Sequence, residues 1–279
     1  NSSIPNTTAV YAFVTRSNAS VTNVPQGHPW SPPGATFFYG DIDDFNSIND
    51  DGVHMITLQN KSISNLTLTG TWYYGSDHTA WIANGLGLTG GGDTNVLWGD
   101  ATYKADAFTV GVQGGQISPD DITGVPLDDT TGWGVKVAGN LGMFDLFAAY
   151  TSVDDGAVKM ANFGTSVKTP LYTQSILDQD TIALDSDTFK IAAGMKALGG
   201  KFGLAYINSD LGAAAPAAVM YPGTYGGSGP YEEIDFTYKA KIGENTTVFA
   251  AYVYQNDDRV PAGIEEQQDF MRFWARYNF

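Results

Sequence analysis

The last nine residues, 271–279 (MRFWARYNF), carry two faces of different chemistry. Met271, Phe273, Ala275, Tyr277 and Phe279 fall on one side at period two, and Arg272, Trp274, Arg276 and Asn278 fall on the other. An upstream stretch repeats the pattern, with Ile234, Phe236, Tyr238, Ala240 and Ile242 alternating with Glu233, Asp235, Thr237, Lys239 and Lys241. A soluble sheet can use such alternation only where helices or a second sheet cover its apolar side, and the sequence contains no stretch that would supply that cover. An apolar outside, a charged inside and closed edges instead predict an all-β fold, a transmembrane antiparallel β-barrel in which lipid replaces the core.

The apolar runs fall well short of the roughly 18 residues of a spanning helix. A mean hydropathy of -0.15 would suit a soluble chain. A barrel gives the same value, because each lipid-facing residue is diluted by a lumen-facing one. The absence of cysteine excludes a disulfide framework and thiolate metal sites, and suits a protein that crosses an oxidising periplasm. A net charge of -16 argues against nucleic acid as a partner. Lys104, Lys136, Lys190, Lys196, Lys239, Lys241, Arg272 and Arg276 all take the polar parity of strands, whereas the acids gather in connections, where they read as solvated loops.

Strands are expected at 8–15, 53–61, 66–75, 95–105, 107–117, 133–141, 144–153, 188–198, 201–210, 232–242 and 247–256, with the closing strand as the twelfth. Short turns alternate with long connections at 16–52, 76–94, 118–131, 154–187 and 211–231. Such sorting is expected of an outer-membrane barrel, with its short periplasmic turns and longer extracellular loops. Trp72, Tyr74, Tyr103, Trp133, Tyr150, Tyr238, Tyr252 and Tyr277 are the expected interfacial aromatics. The whole chain, 1–279, reads as one domain.

The connection 154–187 is too long for an ordinary loop, and its Met160, Phe163, Leu171, Tyr172, Ile176 and Leu177 need something to pack against. Two readings stay open: a constriction loop folded into the lumen, or an external loop over the barrel or a neighbouring subunit. In the first, Lys168, Tyr172, Asp178, Asp180 and Asp185 are the candidate constriction residues. Their acids would face a lumen wall of Lys136, Lys190, Lys196, Glu233, Asp235, Lys239, Lys241, Arg272 and Arg276, setting a field across the pore. Catalysis lacks its parts: the only histidines are His28, His54 and His78, and neither a Gly-x-Ser-x-Gly nor a metal-ligand spacing occurs, so an enzyme is not expected. The acids at Asp41, Asp43 and Asp44, at Asp178 and Asp180, and at Asp185 and Asp187 offer calcium the oxygen ligands it prefers. They lack EF-hand spacing, and no cofactor is expected.

The stretch 232–279, with its turn 243–247 (GENTT), the run 248–252 (VFAAY) and its Tyr-Asn-Phe end, resembles the close of the OprD-like porins, especially the Opr-type major porins of epsilonproteobacteria. Residues 60–68 (NKSISNLTL) and 169–173 (TPLYT) are similar to stretches of the same family. The resemblance implies an outer-membrane diffusion channel of a Gram-negative bacterium, usually trimeric, with about 16 to 18 strands. It also implies that Tyr277 and Phe279 are the signal read by the outer-membrane assembly machinery, and that outer-membrane lipid and lipopolysaccharide surround the barrel. Twelve strands are fewer than the family's number, so either N-terminal strands are absent from this sequence, which has neither an initiator Met nor a signal peptide, or the barrel is smaller, with an adhesive or structural role.

Overall fold

The computed structural model describes residues 5–18, 45–47, 52–77, 90–124, 126–160, 169–176, 181–212, 228–259 and 266–278. Twelve strands form one antiparallel sheet: β1 (Thr7–Val14), β4 (Val53–Asn60), β5 (Leu66–Gly75), β6 (Thr94–Lys104), β7 (Phe108–Pro119), β8 (Thr130–Leu141), β9 (Phe144–Val153), β10 (Ser186–Ala197), β11 (Gly200–Leu211), β12 (Gly229–Ile242), β13 (Thr246–Asp257) and β14 (Gln267–Tyr277). A separate two-stranded ribbon pairs β2 (Arg16–Asn18) with β3 (Phe45–Ser47), and a 3-10 turn at Thr181–Ala183 precedes β10. The strand order in the large sheet follows the sequence, so every pairing is between neighbours, with β1 and β14 at the two edges. Among the described residues there is no helix long and apolar enough to cross a membrane.

The register fixes the faces. Lys136 on β8 pairs with Ala149 on β9, which pairs with Lys190, and onward with Ile207, Glu233, Gln255 and Gln268. Directly opposed residues share a face, so this row and its alternates define one side of the whole sheet. All eight basic residues assigned to the polar parity lie on that side. The opposite side carries the apolar set. Apart from Val10 on the edge strand, each exposed large apolar residue on a described strand of this sheet sits there, including Leu97, Val135, Leu204, Phe236 and Phe273. This outer face is a continuous apolar band rather than scattered hydrophobes, and a band of that extent marks an interaction surface.

The eight expected aromatics all belong to the outer face. They divide into two rows, with Trp72, Tyr74, Trp133, Tyr150 and Tyr252 toward the long connections, and Tyr103, Tyr238 and Tyr277 near the short turns. At the long-loop end the phenols have partners: Tyr150 donates to Asp187 at 2.7 Å, Tyr252 to Asp269 at 2.6 Å, and Tyr74 to Asp93. Tyr206, an aromatic outside the expected set, donates to Glu232 at 2.6 Å in the same row. Each such pair ties the first strand of a long connection to its other side. The phenol stays wet at one end while its ring meets the apolar band, the amphipathic placement of interfacial aromatics.

Turn chemistry explains the short ends. Leu198 and Gly199 join β10 to β11 with φ of 50° and 76°, the positive pair of a type I′ hairpin. The observed strands β7, β8, β10 and β12 run two to three residues further toward the long loops than the sequence pattern indicates. The extensions at Thr130, Ser186 and Tyr231 are buried, because they are covered from the inner side.

Candidate functional site

The cover is the connection 154–185, whose described parts lie on the inner face, opposite the apolar band. Its Ala157, Val158, Met160, Leu171 and Ile182 form one buried cluster with Val96, Ile117 and Val153 of the sheet and with Ile122 and Leu127 of the connection between β7 and β8. Tyr73 and Trp98, inner-face residues of β5 and β6, flank it. These described apolar residues of the connection therefore pack against the sheet's inner side, while Phe163 and Leu177 lie outside the described residues. Glycines on that side let the chain approach: a Cβ on Gly132 would meet Met160 Cε at 3.1 Å, and one on Gly111 would meet the Tyr172 hydroxyl at 3.0 Å.

Hydrogen bonds fix the segment at both ends. At its start, Asp154 N–H donates to Thr131 O at 3.0 Å, Ala157 N–H to Asp128 O at 2.9 Å and Val158 N–H to Thr130 Oγ1 at 3.1 Å. Met160 N–H donates to Ala183 O at 2.6 Å, closing the loop on itself, and Thr169 Oγ1 donates to Met160 O at 2.6 Å. The returning stretch 169–176 then runs across the sheet. The Gln113 amide faces Pro170 O at 3.2 Å and Tyr172 N–H at 3.0 Å, and the hydroxyls of Thr151 and Thr173 lie 2.6 Å apart, buried.

Tyr172 reaches the middle of the wall. Its hydroxyl donates to the Asp100 carboxylate, and Lys136 Nζ lies 3.9 Å from its ring centroid. Burial first, and the Asp100 carboxylate second, hold the phenol above its ordinary range, so it remains a neutral donor. The far end of the segment is held by charge: Lys190 Nζ donates to Gln174 O at 2.5 Å, and Ile176 N–H donates to Glu233 Oε1 at 2.7 Å. Tyr231 donates to the other oxygen of Glu233 at 2.5 Å. Glu233 is 0% exposed, which a carboxylate tolerates only with such partners.

The inner-face residues thus differ in exposure. Lys196, Lys239, Lys241, Arg272 and Arg276 are part-exposed or exposed on the inner face, and Lys190 and Asp235 line a cavity of about 530 Å³ beside Ile176, Lys104 and Lys201. Glu233, on the same face, is buried and holds the segment through the Ile176 N–H and the Tyr231 hydroxyl. Asp185 lies at the long-loop mouth rather than opposite the basic wall. Burial, then repulsion from Asp155, Asp187, Asp154 and Asp210, raises its carboxyl above the ordinary range. Lys168, Asp178, Asp180 and Phe279 lie outside the described residues, as do His28, His78, Asp41, Asp43 and Asp44. His54 sits on the outer face, 4.6 Å from the Phe13 ring, with Tyr11 2.9 Å from its Nδ1. Among the described residues no group of three or more metal-ligating side chains is gathered.

Sequence reasoning missed the anchors Thr130, Thr151, Gln113 and the glycine floor. Alternate glycines at Gly132 and Gly134 were the available signal, since glycine within a strand marks a close approach of other chain.

No family model and no curated protein matches the chain. Solved structures do. OccK3 (OpdO) of Pseudomonas aeruginosa aligns with a TM-score of 0.66 at 11% identity, over 99% of this chain and 66% of that one. OccD3 (OpdP) of the same organism aligns with a TM-score of 0.61 at 10% identity, over 100% and 67%. The outer-membrane protein OprD of Pseudomonas aeruginosa aligns at 0.58 and 12% identity, over 81% and 59%. The chain spans about two thirds of the length of the first two. The sequential antiparallel sheet, its two opposed faces and these alignments together give this chain the fold of the OprD/Occ outer-membrane porins.

Proposed function

We propose that the chain forms the wall of a passive outer-membrane channel for ions and small hydrophilic solutes, narrowed by the segment 154–187. The observation that supports this most directly is the seating of the described parts of that segment on the charged inner face while the apolar face is left bare. A segment serving as an external cover or a subunit contact has no reason to bury Met160, Leu171 and Ile182 on the lumen side. Lipid meets the apolar band and lipopolysaccharide meets the tyrosine row at the long-loop end. The family resemblance adds a homotrimer and assembly through Tyr277 and Phe279.

Selectivity follows from the acids that surround the long-loop mouth, which raise the local cation concentration there. Reconstitution into a planar bilayer should give ohmic steps, with a reversal potential under a KCl gradient that favours potassium. Removing residues 161–176 should enlarge the steps. A preparation that inserts without conducting would end the channel reading, and an unchanged step size after the deletion would remove the segment from the permeation path.

A further inference from the structure

The register sorts charge along the strands as well as between the faces. At the short-turn end the inner face carries Lys104, Lys196, Lys201, Lys239, Lys241 and Arg276, all at or near the ends of their strands. Against these stand Asp145, taken up by Lys201 at 2.5 Å, and the exposed turn acids Asp106 and Glu244, so the described residues of that end keep a net positive charge. The long-loop end has the opposite sign, with exposed Asp120, Asp128, Asp154, Asp155, Asp210 and Asp258. Arg259, a cation at that end, is neutralised by Asp257 at 2.8 Å with both side chains buried.

The two zones do not cancel. A strand such as β10, with 12 residues, rises about 3.3 Å per residue, so even when tilted by about 45° it separates them by more than 25 Å. The screening length at about 0.1 M salt is close to 10 Å. Each zone therefore sets its own counter-ion population, cations at the acidic mouth and anions at the basic one.

Resting on the channel reading above, we infer that the pore rectifies, passing more current when the long-loop side is positive. Under that polarity cations enter through the mouth that concentrates cations and anions enter through the mouth that concentrates anions, so both accumulate inside. Under the reverse polarity each ion must enter through the zone that excludes it, and the interior is depleted. The basic residues at the short-turn end are the determinants, since without them only one zone remains.

The test is a current–voltage curve in symmetric KCl with orientation assigned. The chain has no cysteine, so Ser62→Cys in the turn between β4 and β5, labelled by a membrane-impermeant thiol reagent from one chamber, reports which side the short turns face. At about 0.1 M KCl the current with the long-loop side positive should exceed the opposite current by about twofold. At about 1 M, where the screening length is near 3 Å, the ratio should fall toward unity. The triple variant Lys239→Gln, Lys241→Gln, Arg276→Gln alters three exposed side chains and should conduct with most of the asymmetry gone. Equal currents at low salt, the opposite polarity, or an asymmetry unchanged in the triple variant would overturn the inference while leaving the channel intact. Absence of any conductance would overturn the channel reading itself.

Discussion

Single side chains decide how firmly the inner segment is held, and Glu233 is the most exposed to test. It accepts the Ile176 N–H and the Tyr231 hydroxyl in a fully buried setting, and hydrogen bonds to a charged group contribute about 1.5–3 kcal/mol. Glu233→Ala should release the end of the segment, seen as larger and noisier single-channel currents and as protease cutting near Ile176, whereas Glu233→Gln keeps an acceptor and should lie close to wild type. Equal behaviour of the two variants would show that the anchor does not hold the segment. Asp185 gives a pH-dependent counterpart. Its carboxyl is raised in the folded chain, by burial and by neighbouring acids, so the folded state prefers the protonated form. The associated stability is full below the ordinary carboxylate range and is lost as pH rises through the raised value. Asp185→Asn should therefore raise the heat-denaturation midpoint in detergent at pH 7 and leave it unchanged at pH 3. Asparagine suits the test because the backbone there has φ of 43°, which Asn tolerates as well as Asp. A midpoint lowered at pH 7 would mean that the carboxylate is needed.

At the scale of strands, the two faces were legible because lipid imposes a simple rule on each side chain, and period two carries it without reference to distant residues. Phe236 and Thr237 are adjacent on β12, yet Phe236 is 47% exposed on the outer face while Thr237 lies inward, 3.4 Å from Gly203 O. Arginine at Phe236 should impair insertion into lipid vesicles, at a cost of about 2–4 kcal/mol near the midplane, and arginine at Thr237 should be tolerated. Similar insertion yields for both would show the face assignment to be reversed or irrelevant. The inner segment was only half legible. Its apolar residues announced that it packs against something, but the surface it packs on is assembled from Val96, Ile117, Val153 and the small inner-face residues of different strands. No local pattern links those positions to residues 157–171. The strand ends were missed for the same reason: Thr130, Ser186 and Tyr231 break the alternation because the segment covers them, and cover from a distant part of the chain leaves no local period.

For the molecule as a whole, strict sequential pairing leaves one question of closure. Each interior strand has both sets of backbone groups met by its neighbours, but β1 and β14 are the edges of the sheet and are not paired with one another. In water an open edge is a liability, and in the hydrocarbon of a bilayer it costs several kcal/mol for each unmet N–H or C=O. A sheet with this bare apolar face is stable in a membrane only if both edges are met by backbone. The expected outcome is measurable in the membrane-embedded protein by amide hydrogen exchange. The outward-directed amides of Thr7–Val14 and Gln267–Tyr277 should exchange as slowly as those of β8 and β9 in the interior of the sheet. Exchange within seconds along either edge strand, while β8 and β9 stay protected, would mean that the edge stands open to water, and a sheet with such an edge cannot be the wall of a closed transmembrane barrel.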